Sequence, residues 1–135
     1  MTSDINLLAV LVSTIMSMVI GFIWYMPNVF GNRWMHMAGV HHDEARKGAA
    51  RAMAGQFAAA LITNYILATF MAATGALSAG DGVAVGFLAW FGFIATAMIG
   101  IVLFERKPLK YYAIVAGYHL VNLIVAGIIL GAWQS

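Results

Sequence analysis

Polar residues interrupt this chain at three places and leave four long apolar runs, at residues 5–25, 53–75, 83–104 and 111–133. Each run holds about 20 residues, the length a helix needs to cross a hydrocarbon layer of ~30 Å. The pattern predicts an all-α multipass membrane protein, with four transmembrane helices in an antiparallel bundle forming a single domain. Pro27 cannot donate into a continuing helix, so the first helix ends near Tyr25. Phe30, Trp34 and Met37 then recur at helical spacing, which predicts a short interfacial segment after the first span. Residues 39–42 read as a loop, and Asp43 as an N-cap from which the second helix starts ahead of Met53. Residues 77–82 read as a tight turn bearing Asp81, and residues 105–110 as a second turn broken by Pro108.

Within each run the polar and small residues fall on one face. In the first they are Asn6, Ser13, Thr14, Ser17, Gly21 and Trp24; in the second, Gln56, Ala60, Thr63 and Asn64. The third carries Ala89, Gly92, Thr96 and Gly100, and the fourth His119, Asn122 and Ala126. Lipid supplies no hydrophobic force between helices, so small residues and interhelical hydrogen bonds must join them. The four faces are therefore expected to meet. Counting the rise per residue puts Ser17, Thr96 and His119 in one layer, with Thr14, Asn64 and Asn122 about one turn deeper. The expectation is a hydrogen-bond network centred on His119 and Asn122. Two glycine pairs, Gly82/Gly86 and Gly127/Gly131, offer further sites of close helix approach.

Charge adds orientation. All seven Lys and Arg residues lie in two of the breaks: Arg33, Arg46, Lys47 and Arg51 in the first, and Arg106, Lys107 and Lys110 in the last. Basic residues resist translocation, so both loops are expected in the cytoplasm and both termini outside. Trp24, Tyr25, Phe30 and Trp34 cluster at that boundary, where aromatic rings settle among headgroups. The first run follows Asp4 rather than a basic segment and is too long for a cleavable signal, so it is expected to stay as a span.

Composition agrees with the pattern. The chain is 63% hydrophobic and 9% charged, whereas soluble domains average about 45–50% and about 25%. The net charge of +2 follows from loop orientation and gives no reason to expect a nucleic-acid partner. With no cysteine, disulfides and thiolate chemistry are excluded. Met35-His36-Met37 followed by His41-His42-Asp43-Glu44 gathers soft and imidazole donors, but at the spacing of no strict metal motif. No Ser/His/acid triad forms, because no acid lies at the depth of His119. Neither cofactor nor metal is expected, and the protein is not expected to be an enzyme.

Three segments carry a resemblance: residues 21–27 (GFIWYMP) with 30–34 (FGNRW), residues 104–110 (FERKPLK), and residues 117–121 (GYHLV). In order and spacing these resemble the domain of unknown function 1761 family of small bacterial membrane proteins. The resemblance implies a four-helix protein of the bacterial cytoplasmic membrane, with no activity attached. It draws attention to Trp24, Tyr25, Pro27, Phe30, Gly31, Trp34, Glu105, Arg106, Tyr118 and His119. Glu105 is then expected to pair with Arg33 across the inner boundary.

Two classes of function stand open on the sequence. One is a helix-packing interaction module, either a homo-oligomeric scaffold or an accessory subunit of a larger membrane complex. The other is a small homo-oligomeric channel or transporter with a polar intramembrane site around His119 and Asn122. In either case a dimer of parallel protomers is the favoured assembly, because the charge bias gives every copy one orientation.

Overall fold

The computed structural model describes residues 5–39, 48–76 and 78–133. Four of its helices are long and apolar enough to cross a membrane: α1 (Leu7–Trp24), α3 (Ala49–Thr74), α4 (Ala79–Leu103) and α5 (Leu109–Ala132). A fifth, short helix, α2 (Asn32–Ala38), follows α1. No strand occurs among the described residues.

Local chemistry sets the ends. The Asn6 side chain caps α1 by accepting from the Ala9 N–H at 3.1 Å. Beyond α1 the chain makes a five-residue π turn, Pro27–Gly31, before α2. A Cβ at Gly31 would run into the carbonyl of Tyr25, so this tight return has room only for glycine. Helices α2 and α3 stop at Gly39 (φ +75°) and Gly75 (φ +72°), the left-handed conformation in which glycine ends a helix without strain. The expected cap at Asp43, together with His41 and His42, lies outside the described residues.

One boundary differs from expectation. Residues 79–82 are not part of a turn but the first turn of α4, because the Ser78 hydroxyl accepts from the Asp81 N–H at 3.1 Å and starts the helix there. Farther along, α4 widens into a π segment over Trp90–Ala95.

The bundle is antiparallel and built around α5. The Trp24 indole donates to the Ile114 carbonyl at 2.9 Å, while at the opposite end of the same two helices Asn6 donates to the Trp133 carbonyl at 3.3 Å. In its apolar window α5 buries 44% of its residues and α4 only 6%, so α5 is the hub and α4 an outer stave held along one narrow seam. Ala9 and Val10 of α1, Leu67, Ala68 and Met71 of α3, and Leu123, Ala126 and Leu130 of α5 form the common core.

The α4–α5 seam is made of glycine. A Cβ at Gly82 would overlap the Gly127 carbonyl, one at Gly127 the Gly82 carbonyl, and one at Gly131 the Ser78 carbonyl. Gly86 also lies against the Leu123 carbonyl, with slightly more room. The two glycine pairs therefore meet each other within one chain. Two side chains lock the seam farther along: Trp90 Nε1 donates to the Ala116 carbonyl at 2.8 Å, and the Tyr112 hydroxyl to the Ala95 carbonyl at 2.7 Å. The second acceptor belongs to the π segment, where displaced carbonyls need new partners.

Candidate functional site

The polar centre of the bundle is Asn64. Its Nδ2 donates to the Thr14 hydroxyl and to the Ser17 hydroxyl, each at 3.2 Å, joining α3 to α1. Those hydroxyls in turn donate along their own helix, Thr14 to the Val10 carbonyl at 2.8 Å and Ser17 to the Ser13 carbonyl at 2.9 Å. Thr14, Ser17 and Asn64 are wholly buried. The Tyr118 hydroxyl approaches from α5 and donates to the Ser17 carbonyl at 3.3 Å, tying the third helix to the same layer. Gly21 makes room for that ring, since a Cβ there would stand 3.3 Å from the Tyr118 hydroxyl.

Ser13 and Asn122 are buried beside this layer, at 1% and 6% exposure. Among the described residues the Oγ of Ser13 and the Oδ1 atoms of Asn64 and Asn122 have no hydrogen-bond partner. Such atoms in a low-dielectric interior are costly and call for a physical reason.

Four expected members stand apart. Thr96 is exposed and donates to the Gly92 carbonyl of its own helix at 2.6 Å. Because α4 approaches α5 through Gly82, Gly86 and Ala95, the face holding Gly92 and Thr96 turns outward. Gln56 and Thr63 are likewise exposed on α3, so the stripe expected there splits: Ala60 and Asn64 point inward, Gln56 and Thr63 away. His119 is half-buried, rests against the Tyr118 ring at 5.1 Å, and makes no hydrogen bond among the described residues. The network is thus centred on Asn64 rather than on His119 and Asn122. The reason is register: Tyr118, not His119, is the α5 side chain that faces α1.

Below the layer the aromatic residues around the end of α1 form two groups of rings in contact. Trp24 packs on Phe30 at 4.8 Å between ring centres, Tyr25 on Trp34 at 5.5 Å, and Tyr25 on Tyr118 at 5.7 Å. The π turn opened by Pro27 and closed by Gly31 folds α2 back so that these rings meet. The polar layer and the rings of Tyr25 and Trp34 are joined through Tyr118.

The match to the family model covers residues 8–131, and the model describes a protein of unknown function (DUF1761). The chain belongs to the DUF1761 family. No curated protein and no solved structure matches it. Of the positions singled out by the DUF1761 resemblance, Trp24 packs with Phe30, and Tyr25, Trp34, Tyr118 and His119 are joined by ring contacts. Glu105 and Arg106 do not. Both are exposed, as is Arg33, and no ion pair joins Glu105 to Arg33 among the described residues. The positive φ of Arg106 (58°) turns the chain there. The link between the two loops is made instead by Lys107, whose Nζ donates to the Met37 carbonyl at 3.1 Å and lies 5.6 Å from the centre of the Tyr111 ring. Met35-His36-Met37 lies on α2, and among the described residues no three His, Cys, Asp or Glu side chains gather as a metal site would require.

Proposed function

We propose that this protein is a helix-packing interaction module of the bacterial cytoplasmic membrane, which self-associates as a parallel dimer through the N-terminal half of α3. One observation carries the reading. Ala52, Gln56, Ala59 and Thr63 lie on one face of α3, at spacings of four, three and four, and all are exposed. The outward surface elsewhere is of a different make, with Leu8, Ile15 and Phe22 on α1 and Leu88, Phe91 and Phe93 on α4. Those side chains suit lipid tails. An amide among lipid tails keeps its hydrogen bonds only where another polar group meets it.

Small residues admit a second helix closely, and Gln and Thr bond across the contact. A second copy offers the same face. A carboxamide is donor and acceptor at once, so Gln56 is complementary to Gln56 of the partner protomer across a two-fold axis. The two basic loops favour the cytoplasm and the termini the other side, which makes the protomers parallel. The role is one of binding, not catalysis. The alternative, a channel or transporter around His119 and Asn122, draws less support, because Thr14, Ser17 and Asn64 are sealed from solvent.

The absence of cysteine makes the test clean. Ala59→Cys, oxidised mildly in native membranes, is expected to give a disulfide-linked dimer, and Phe93→Cys on the outer face of α4 to stay monomeric. The purified protein in mild detergent is expected at dimer mass. A monomer mass with no cross-link at Ala59 or Gln56 would sink the reading. A larger protein co-purifying in fixed ratio would replace self-association with an accessory-subunit role.

A further inference from the structure

We propose that a single water molecule is bound at the centre of the bundle, bridging Asn64, Asn122 and Ser13 and so joining α1, α3 and α5. Three buried atoms have no hydrogen-bond partner among the described residues: Asn64 Oδ1, Asn122 Oδ1 and Ser13 Oγ. Their side chains are 0%, 6% and 1% exposed, so bulk solvent does not satisfy them.

Register brings them close in height. Tyr118 of α5 meets the Ser17 carbonyl of α1. These helices run antiparallel, so one turn from Tyr118 toward the chain's end and one turn from Ser17 toward its start lead to levels within about one turn of each other. Those steps arrive at Asn122 and Ser13. Asn64 already brackets that turn of α1, because its Nδ2 holds Thr14 on one side and Ser17 on the other. Both hydrogens of that amide nitrogen are thereby used, leaving its oxygen to accept.

The unmet needs match one water. Two carboxamide oxygens accept and cannot donate, whereas a hydroxyl can donate. A water gives two hydrogens and takes one or two, and buried waters make about three such bonds. A metal ion held by oxygens takes six or more of them, and only three are free. Direct pairing of the two amide oxygens supplies no hydrogen. Without a donor, the unpaired oxygens carry their full desolvation cost in a hydrocarbon surrounding.

The deciding experiment is a structure of the full chain in lipid at a resolution that shows ordered water. One peak is expected within hydrogen-bond distance, about 2.7–3.2 Å, of all three atoms. No peak, or a peak ringed by five or more oxygens at the shorter contacts of a metal ion, would overturn the proposal. Thermal melting in detergent gives an independent check that needs only partial stability. Ser13→Ala and Asn122→Leu each remove a leg of the bridge, so the double variant is expected to melt close to the worse single one. Fully additive shifts would mean that the two residues share no bridging molecule. Both readouts stand apart from dimerisation, so this site and the α3 interface succeed or fail separately.

Discussion

Between α4 and α5 the backbones themselves touch, whereas between α1 and α3 the central contact runs through side-chain hydrogen bonds. The first seam is steric. Gly82, Gly86, Gly127 and Gly131 remove side chains so that two helices meet at main-chain distance. The second is chemical. Asn64 reaches over to Thr14 and Ser17 and loses little if the helices shift slightly. In lipid these are the two devices open to a helix pair, since apolar surface gains nothing by leaving apolar solvent. The contrast teaches that the seams should fail differently, one abruptly with added volume and the other by degrees with lost polarity.

The sharpest way to break the contrast is to add volume to the glycine seam. Gly82→Leu puts a side chain where the Gly127 carbonyl already stands, and neither backbone can yield without parting the helices. The expected loss is about 3 kcal/mol or more, seen as a collapse of the melting temperature in detergent. The control is Gly92→Ala, also on α4, where a Cβ meets nothing within 4 Å. It should be neutral or gain up to about 1 kcal/mol from helix propensity. Equal losses from the two variants would show that close contact at Gly82 is not what sets the stability of α4.

Removing polarity from the other seam should cost less. Asn64→Ala deletes both bonds to α1, yet Thr14 and Ser17 still donate to the carbonyls of Val10 and Ser13, so no donor is orphaned. The expected loss is about 1–3 kcal/mol, measured as a lowered melting temperature with helix content retained. A loss as abrupt as that of Gly82→Leu would mean that the polar layer is as indispensable as the glycine contact.

Much of this architecture was legible in the sequence, because length and hydropathy bear directly on spanning. Four apolar runs became four long helices, and Pro27 marked the end of α1. The aromatic residues after it came together as rings in contact. Rotation about each axis was less legible. A period of 3.6 residues groups Gln56 with Asn64 loosely, and only contact with α1 decides that Asn64 turns inward while Gln56 turns out. The third run misled for a related reason. Gly92 and Thr96 looked like a packing face, but Gly82 and Gly86 supply the real one, and the π segment between them alters the phase of the helix. Likewise Glu105 and Arg33 are a plausible pair by charge, yet the chain closes that gap with Lys107 and a backbone carbonyl, which no pattern of charges announces.

Thr96 offers the finest test of the comparison. It has the side chain of a polar-layer residue but sits on the helix that uses the other device. Its hydroxyl donates to the Gly92 carbonyl one turn back, a bond inside α4 that joins no second helix. Thr96→Val keeps the branched shape and drops that bond. The freed carbonyl still accepts within the helix, so the expected change in stability is within about 0.5 kcal/mol. The measurement is the melting temperature of Thr96→Val beside Asn64→Ala in the same detergent. If both fall equally, α4 also depends on polar contact and the division between a steric seam and a chemical one does not hold. If Thr96→Val stays with the parent, side-chain polarity carries stability only where it crosses between helices.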